Sequence, residues 1–276
     1  MLLEALHYAC ARLGGEPNPH GHLTELVGIW ARLRRQRLAW TAHLARARAI
    51  CLTAAEALPP ERRRVAVVYG AGALNDVPLD RLAAGFARIV LADMAFLPAT
   101  KRQARALGNV ELRHVDLTGA LDALPRPEAL AAGAVAPAVD LTLGLNELDF
   151  AYSANVLSQL PLAVVSELEH RHPAPEQSRL RDYAASIVRA HLNALAALPC
   201  PVCLVTDVRE RGLDHGAVHY EDDLLYGEMS DVADSPHETW IWRLAPRGEA
   251  HPHLDIERDV LGFGDARVAL GGGGHG

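Results

Sequence analysis

The residues best placed for chemistry begin at Arg63. The run Arg63-Arg64-Val65-Ala66-Val67-Val68-Tyr69-Gly70-Ala71-Gly72-Ala73-Leu74-Asn75-Asp76 carries an apolar strand directly into a Gly-x-Gly turn, and Pro78 follows to open a helix. Glycine suits such a turn because the backbone bends sharply and a ligand must approach it closely. The helix N-terminus beyond offers free amides to a polar or anionic group. Alone, this is a weak signal. Downstream, Ile89-Val90-Leu91-Ala92-Asp93 ends in an acid able to accept hydrogen bonds from both hydroxyls of a ribose. Val110-Glu111-Leu112-Arg113-His114-Val115-Asp116 ends in another, and Tyr152-Ser153-Ala154-Asn155 brings small polar side chains to the end of a fourth strand. Ligands of open α/β sheets sit at the carboxyl ends of the strands, so these four sequences converge on one crevice. One acid at a strand end is more often a turn former or a cap; several in the same register argue for a site.

Other clusters carry less. Cys200-Pro201-Val202-Cys203 leads into a strand rather than a helix N-terminus, and no second pair completes a zinc site, so buried core cysteines and no metal are expected. A polar stretch from 209 to 237 gathers Asp214, His215, His219, Tyr220, Glu221, Asp222 and Asp223. On a helix, His215 and His219 would share a metal-binding face, but Gly212 and Gly216 oppose a regular helix. The stretch leaves the carboxyl edge of the fifth strand, so it reads either as a substrate-facing lid over the crevice or as a solvated loop. Glu169-His170-Arg171-His172-Pro173 reads as a helix end whose basic side chains oppose the negative dipole end. Trp30 and Trp40 read as core anchors.

The elements that must hold these residues fall into three zones. Residues 1–60 form a helical extension, with a first helix ending near Gly14-Gly15. A longer helical stretch then runs from Leu23 to Leu58, with Leu26, Ile29, Trp30 and Leu33 at helical spacing, until Pro59-Pro60 closes it. Residues 61–268 alternate short apolar strands with helices, the pattern of a parallel sheet with crossover helices. Strands are expected at 65–69, 89–93, 110–115, 150–153 and 202–206, and helices at 79–87, 101–107, 163–170 and 177–198. A short helix has room in 119–148. Near the end, strands at 240–244 and 259–263 joined without a helix suggest an antiparallel pair at the sheet edge. The glycine-rich tail, 269–276, is expected to be disordered.

Composition narrows the partners. Half of the 276 residues are hydrophobic and 22% are charged, an ordinary balance for a globular chain. A net charge of −7 opposes general nucleic-acid binding driven by phosphate attraction. Arg32, Arg34, Arg35, Arg37, Arg46 and Arg48 make one local basic run, which reads as a solvated helix face. No apolar run reaches the roughly 18 residues that span a bilayer. The N-terminus has an early acid and no basic flank of a signal peptide, so a cytoplasmic location is the expectation.

From about Arg64 to Phe263 the chain resembles the class I S-adenosylmethionine-dependent methyltransferases. That resemblance implies an α/β Rossmann-like fold: a mostly parallel seven-stranded sheet with an antiparallel edge hairpin, here preceded by the helical extension. It implies S-adenosylmethionine as cofactor, with Gly70, Ala71 and Gly72 at its methionine part, Asp93 and Met94 at the ribose, and Asp116 at the adenine. The segment Asp149 to Leu160 is similar to the family's fourth motif, which places Ser153 and Asn155 near the sulfonium. Tyr152, Asn155, His215 and Tyr220 are the candidates for contact with a methyl acceptor. The extension of such enzymes commonly covers the cofactor, which directs attention to Trp40, His43, Arg46 and Arg48. The acceptor is a small molecule or a protein. Two positions depart from the family pattern: Val68 stands where an acid usually precedes the first glycine, and Leu74 stands at the third glycine. Asn75 or Asp76 is then the candidate for the cofactor's amino group. Two alternatives compete. A nicotinamide-dependent oxidoreductase wants glycine or alanine where Asn75 stands and does not require Asp116 or the edge hairpin. A non-catalytic partner protein of the same fold would dock through its N-terminal helices.

Overall fold

The computed structural model describes residues 2–18, 20–172, 175–229 and 236–270. Three helices open the chain: α1 (Leu2–Leu13), α2 (His22–Arg35) and α3 (Arg37–Glu56). The helical stretch expected from Leu23 to Leu58 is therefore two helices, broken at Gln36, whose backbone leaves the helical region at φ −104° and ψ 24°. An alternating series follows, with β1 (Val65–Tyr69), α4 (Leu79–Gly85), β2 (Arg88–Asp93), α5 (Pro98–Leu107) and β3 (Val110–His114). It continues through α6 (Pro127–Ala131), β4 (Leu148–Ala154), α7 (Leu160–Arg171), α8 (Gln177–Ala196) and β5 (Val202–Asp214). The chain ends with β6 (Ala217–Asp223), β7 (Glu238–Ala245), β8 (Asp255–Phe263) and α9 (Arg267–Leu270).

The strands lie in the order β3-β2-β1-β4-β5-β8-β7, with β6 paired to the outer part of β5. Strands β1 to β5 pair in parallel, while β8 runs antiparallel to β5 and β7. This is the expected Rossmann-like sheet, mostly parallel with an antiparallel edge; seven strands make the continuous order and β6 adds an eighth beside β5. The extra strand comes from the polar stretch after residue 206. β5 does not stop at Thr206 but runs on to Asp214, turns at His215-Gly216, and pairs back through β6 from Arg209↔Asp223 to Asp214↔Ala217. The turn is sharp, with φ of 48° at His215 and 88° at Gly216, the kind of left-handed pair that favours a two-residue hairpin. The expected lid over the crevice is thus a hairpin extending the sheet. Residues 230–235 and 271–276 lie outside the described residues, and with them the end of that stretch and most of the expected disordered tail.

The sheet is buried on both faces. One face packs Val67, Tyr69, Val90 and Leu204 against α7 and α8 residues such as Val164, Tyr183 and Val188. The other packs Val68, Leu91, Phe150, Tyr152 and Val205 against α3 and α4 residues such as Ile50, Cys51, Leu79 and Leu82. Along β7 the pattern is strict: Trp240, Trp242 and Leu244 face this second core while Ile241 and Arg243 face out. Cys51, Cys200 and Cys203 are buried free thiols. α3 also contacts β4, β5, β7 and β8, so the N-terminal extension is partly a layer of the fold itself. No described helix is long and apolar enough to cross a membrane.

Candidate active site

From β1 the chain moves to β2 and β3 on one side, and later to β4 and β5 on the other. The strand order reverses there, and the carboxyl ends of the strands part to leave a crevice. A cavity with about 1020 Å³ of empty space, part of it open to solvent, occupies that position. Its floor comes from the loops after β1, β2, β3 and β4, its roof from α2 and α3, and its far wall from Trp242 of β7.

The glycine turn is shaped by its own neighbours. Gly70 has φ 78°, and a Cβ there would stand 2.6 Å from Val156 Cβ. A Cβ on Gly72 would meet the Ala95 carbonyl at 2.6 Å and the Leu26 side chain at 3.0 Å. Gly72 also donates its N–H to Asp93 Oδ2 at 2.7 Å, and Met94 N–H donates to Asp93 Oδ1 at 2.7 Å. Asp93 therefore ties the turn after β1 to the turn after β2. Burial pushes its carboxyl up to about 6, against the backbone hydrogen bonds that favour its ionised form. The Ala95 N–H bonds the same carboxylate, which leaves about one of its roughly four acceptor sites for a ligand.

Asp116 is held in the same manner by its own loop. Its Oδ1 accepts from Thr118 N–H at 2.8 Å and Thr118 Oγ1 at 2.6 Å, and its Oδ2 accepts from Leu121 N–H at 3.0 Å. His191, fully buried on α8, braces that loop from behind by donating to the Leu117 carbonyl at 3.2 Å.

Asp76 is different. It is 8% exposed and lines the cavity, and its carboxyl takes a backbone hydrogen bond but none from another side chain among the described residues. Burial raises the carboxyl to about 7, Asp207 pushes in the same direction, and Arg48 opposes. Leu74, in the position of the family's third glycine, has φ 55°, and Asn155 at the end of β4 has φ 49°. Both are strained or tolerated left-handed residues in the cavity wall, at a cost of about 1–2 kcal/mol for the leucine. Asn155 uses its side-chain oxygen to accept the Asp207 N–H at 2.9 Å, joining the ends of β4 and β5. Asp207 is itself buried and paired with Arg258 and Ser158.

The wall facing β7 is aromatic. His43 stacks on Trp242 with centroids 4.0 Å apart and planes at 8°, and Trp40 meets Trp242 edge-on at 4.8 Å. Trp40 Nε1–H donates to the Leu244 carbonyl at 2.8 Å, which fixes α3 to β7. Trp240 Nε1–H donates to His43 Nδ1 at 3.2 Å, so the neutral ring carries its proton on Nε2. Burial keeps that ring neutral, pulling His43 down to about 3.

The roof is anchored by a residue that sequence reading missed. Glu16, 1% exposed, accepts from Phe96 N–H at 2.5 Å and from His114 Nε2 at 2.9 Å, and it pairs with Lys101, the chain's only lysine. It thereby fastens the α1–α2 connection to the loop directly after Asp93. Two α2 residues reach the cavity. His22 carries a buried Nδ1 without a hydrogen-bond partner and is held below its ordinary value by burial. Glu25 opens to solvent on one side, and its enclosed side raises its carboxyl.

Of the residues singled out from sequence, Gly70, Asp93, Met94, Asp116 and Asn155 line the cavity, as do Trp40, His43, Asn75 and Asp76. Ala71, Gly72 and Ser153 sit behind that surface. Tyr152 is buried in the core beneath it, where its hydroxyl donates to the Asp76 carbonyl at 3.4 Å. His215 and Tyr220 lie on the β5–β6 hairpin away from the cavity, His215 beside Arg247 at 3.3 Å and Tyr220 donating to Glu210 at 2.9 Å. Arg46 pairs with Glu238, and Arg48 donates to the Asn75 carbonyl. Glu16, His22, Glu25 and Trp242 had no local motif to announce them. The one available signal was the alternation of Trp240, Trp242 and Leu244 along a strand.

No family model and no curated protein matches the chain. Among solved structures it is similar to the Burkholderia thailandensis 1,6-didemethyltoxoflavin-N1-methyltransferase, solved with 1,6-didemethyltoxoflavin and S-adenosylhomocysteine. That pair has a TM-score of 0.34 and 16% identity over 84% of this chain and 88% of the other. A DhpI–SAH complex gives a TM-score of 0.33 and 14% identity over 85% and 93%. Cofactor-bound Rv0187 from MTB gives 0.30 and 14% over 89% and 97%. Likeness at this level carries nothing about activity; the fold rests on the chain's own strand order and the site on its own residues.

Proposed function

We propose that the cavity binds S-adenosylmethionine and that the protein is a methyltransferase acting on a small molecule. The observation that carries this reading is the charge of the wall. Glu25, Asp76, Asp93 and Asp116 bring four carboxyl groups to it, and among the described residues no lysine or arginine lines it, in a chain with 27 of them. S-adenosylmethionine offers a sulfonium and an ammonium against one carboxylate, which such a wall attracts. A nicotinamide dinucleotide would bring a diphosphate into the same acidic surroundings, which disfavours the oxidoreductase reading.

Each residue then has a task. Asp93 receives the ribose hydroxyls. The Asp116–Thr118 loop meets the adenine, and the backbone of Gly70 allows close approach, with Ala71 and Gly72 holding the turn from behind. Asp76, which among the described residues has no side-chain hydrogen bond of its own, takes the ammonium in place of the acid absent at Val68. Met94 flanks the ribose, and Asn155 sets the end of β4, with Ser153 behind it. The cofactor, when bound, supplies a methyl group already activated on sulfur. The chain's own work is therefore alignment and exclusion of water, supplied by the rigid strand ends and by the α2–α3 roof. Of the candidate acceptor contacts, Asn155 keeps a place in the wall, whereas Tyr152, His215 and Tyr220 do not.

Calorimetric titration with S-adenosylhomocysteine and with NADH, on wild type and Asp93→Ala, tests the reading. The expected result is micromolar binding of the sulfur nucleoside, weakened at least tenfold in the variant, and no binding of NADH. NADH binding without S-adenosylhomocysteine binding would overturn it. Binding of neither would favour a non-catalytic partner protein working through its N-terminal helices.

A further inference from the structure

The nucleoside tasks above use the floor of the cavity and leave its aromatic wall unassigned. That wall is made by Ile29, Trp40, His43, Leu44 and Trp242. It is apolar and aromatic apart from two N–H groups. His43 must present its proton on Nε2, because Nδ1 already accepts from Trp240. Trp242, 6% exposed, has a buried Nε1–H with no acceptor among the described residues. An indole N–H left without an acceptor in a buried site is destabilising, and a ligand supplying one would relieve that cost. The imidazole is neutral, so it offers a hydrogen bond and no charge.

We infer that this wall is the acceptor subsite, and that it takes an uncharged, flat aromatic or heteroaromatic molecule bearing a hydrogen-bond acceptor for His43 Nε2–H. The inference rests on the methyltransferase reading for the word acceptor, but not for the binding. Three observations define the class. The aromatic surface favours a planar partner over a puckered one of equal size, because ring–ring contacts add to area burial. The acidic floor and the absence of cationic side chains in the wall exclude anions. Enclosure by α2 and α3 admits a small molecule rather than a polymer.

The test uses three bicyclic probes on the full-length chain, free and saturated with S-adenosylhomocysteine: coumarin, octahydrocoumarin and coumarin-3-carboxylate. Coumarin is flat, neutral and carries a carbonyl acceptor; the second is its saturated counterpart, and the third adds a negative charge. Expected is coumarin binding at least tenfold tighter than either of the others, read by ligand-observed NMR titration. His43→Phe, which keeps a stacked ring and removes the N–H, is expected to weaken coumarin about tenfold and leave S-adenosylhomocysteine affinity within twofold. The three-probe comparison needs no variant, so it decides even if His43→Phe folds poorly. Equal affinity for coumarin and octahydrocoumarin, or tighter binding of the carboxylate, would overturn the subsite. Failure of S-adenosylhomocysteine to bind while coumarin keeps its preference would overturn the methyltransferase reading alone.

Discussion

At the scale of single residues, the informative feature is a carboxyl held at a cost. Asp76 sits buried without a side-chain hydrogen bond among the described residues, and its carboxyl is raised from 3.8 to about 7. A buried carboxyl raised in this way is costly to keep, and in a cleft it is a candidate for function. The folded value exceeds the unfolded one, so the stability linked to this group is complete below about 3.8 and is lost as pH rises through 7. Asp76→Asn is therefore expected to melt higher than wild type at pH 8, by up to a ceiling of roughly 4 kcal/mol, with the gain vanishing near pH 4. Thermal melts at the two pH values check this. The same group should tie cofactor affinity to pH. A cation binds the ionised form, so affinity for S-adenosylhomocysteine is expected to rise from pH 5.5 to 8 and then level off. In Asp76→Asn the affinity should be weaker and the rise smaller, with the remainder due to Asp93. A titration series across that range reads both effects.

At the scale of elements, the roof depends on one buried carboxylate, Glu16, and the partners around it. Glu16 is buried, while its partners Lys101 and His114 reach solvent, so its removal is expected to cost less than the ~3–5 kcal/mol of a fully buried pair. Glu16→Ala strands Lys101, His114 and the Phe96 N–H together. The loss is expected to fall on α1 and α2 rather than on the sheet, seen as faster hydrogen exchange over residues 2–35 with β1 and β4 still protected. Gly70→Ala is the contrasting case. Its Cβ would stand 2.6 Å from Val156 Cβ at φ 78°, so about 1–3 kcal/mol of global stability should be lost, together with affinity. The difference between these two positions explains what the sequence disclosed. Gly70, Asp93 and Asp116 belong to local runs, a strand feeding a turn, and runs of that kind are readable. Glu16 is an ordinary acid in a loop until the fold brings it against His114, 98 residues later. The described part of the polar stretch after Thr206 is a hairpin rather than a lid or an irregular loop, for a related reason. Its alternating side chains are those of an exposed hairpin, and the strand that recruits them, β8, lies some 45 residues further on. Trp242 entered the site only because α3 packs across the sheet onto β7.

At the scale of the whole molecule, ionisation has two opposed effects on stability. Burial pulls His43 down to about 3 and His191 to about 4, so the stability these neutral rings contribute is complete above 6.5 and is lost as pH falls toward those values. Asp76 and Asp93 act in the other direction, their linked stability returning as pH falls from about 7 and about 6. Between pH 6.5 and 4 the trends oppose, and a nearly level wild-type melting temperature is expected there. Asp76→Asn removes one acid-stabilised group, so its melting temperature should decline more steeply with acid. Calorimetric melts in steps of half a pH unit measure both slopes, and a steep wild-type decline would show that other groups dominate. In the proposed reading Asp76 and Asp93, with Glu25 and Asp116, also give the cavity a preference for a nucleoside bearing a positive charge. The most direct measurement of that preference is a crystal structure of the chain grown with saturating S-adenosylhomocysteine. The expected result is a nucleoside with its ribose hydroxyls on Asp93 and its ammonium beside Asp76, the aromatic wall left open next to the sulfur. An unfilled cavity at saturating ligand, or a nucleoside bound away from Asp93, would contradict it.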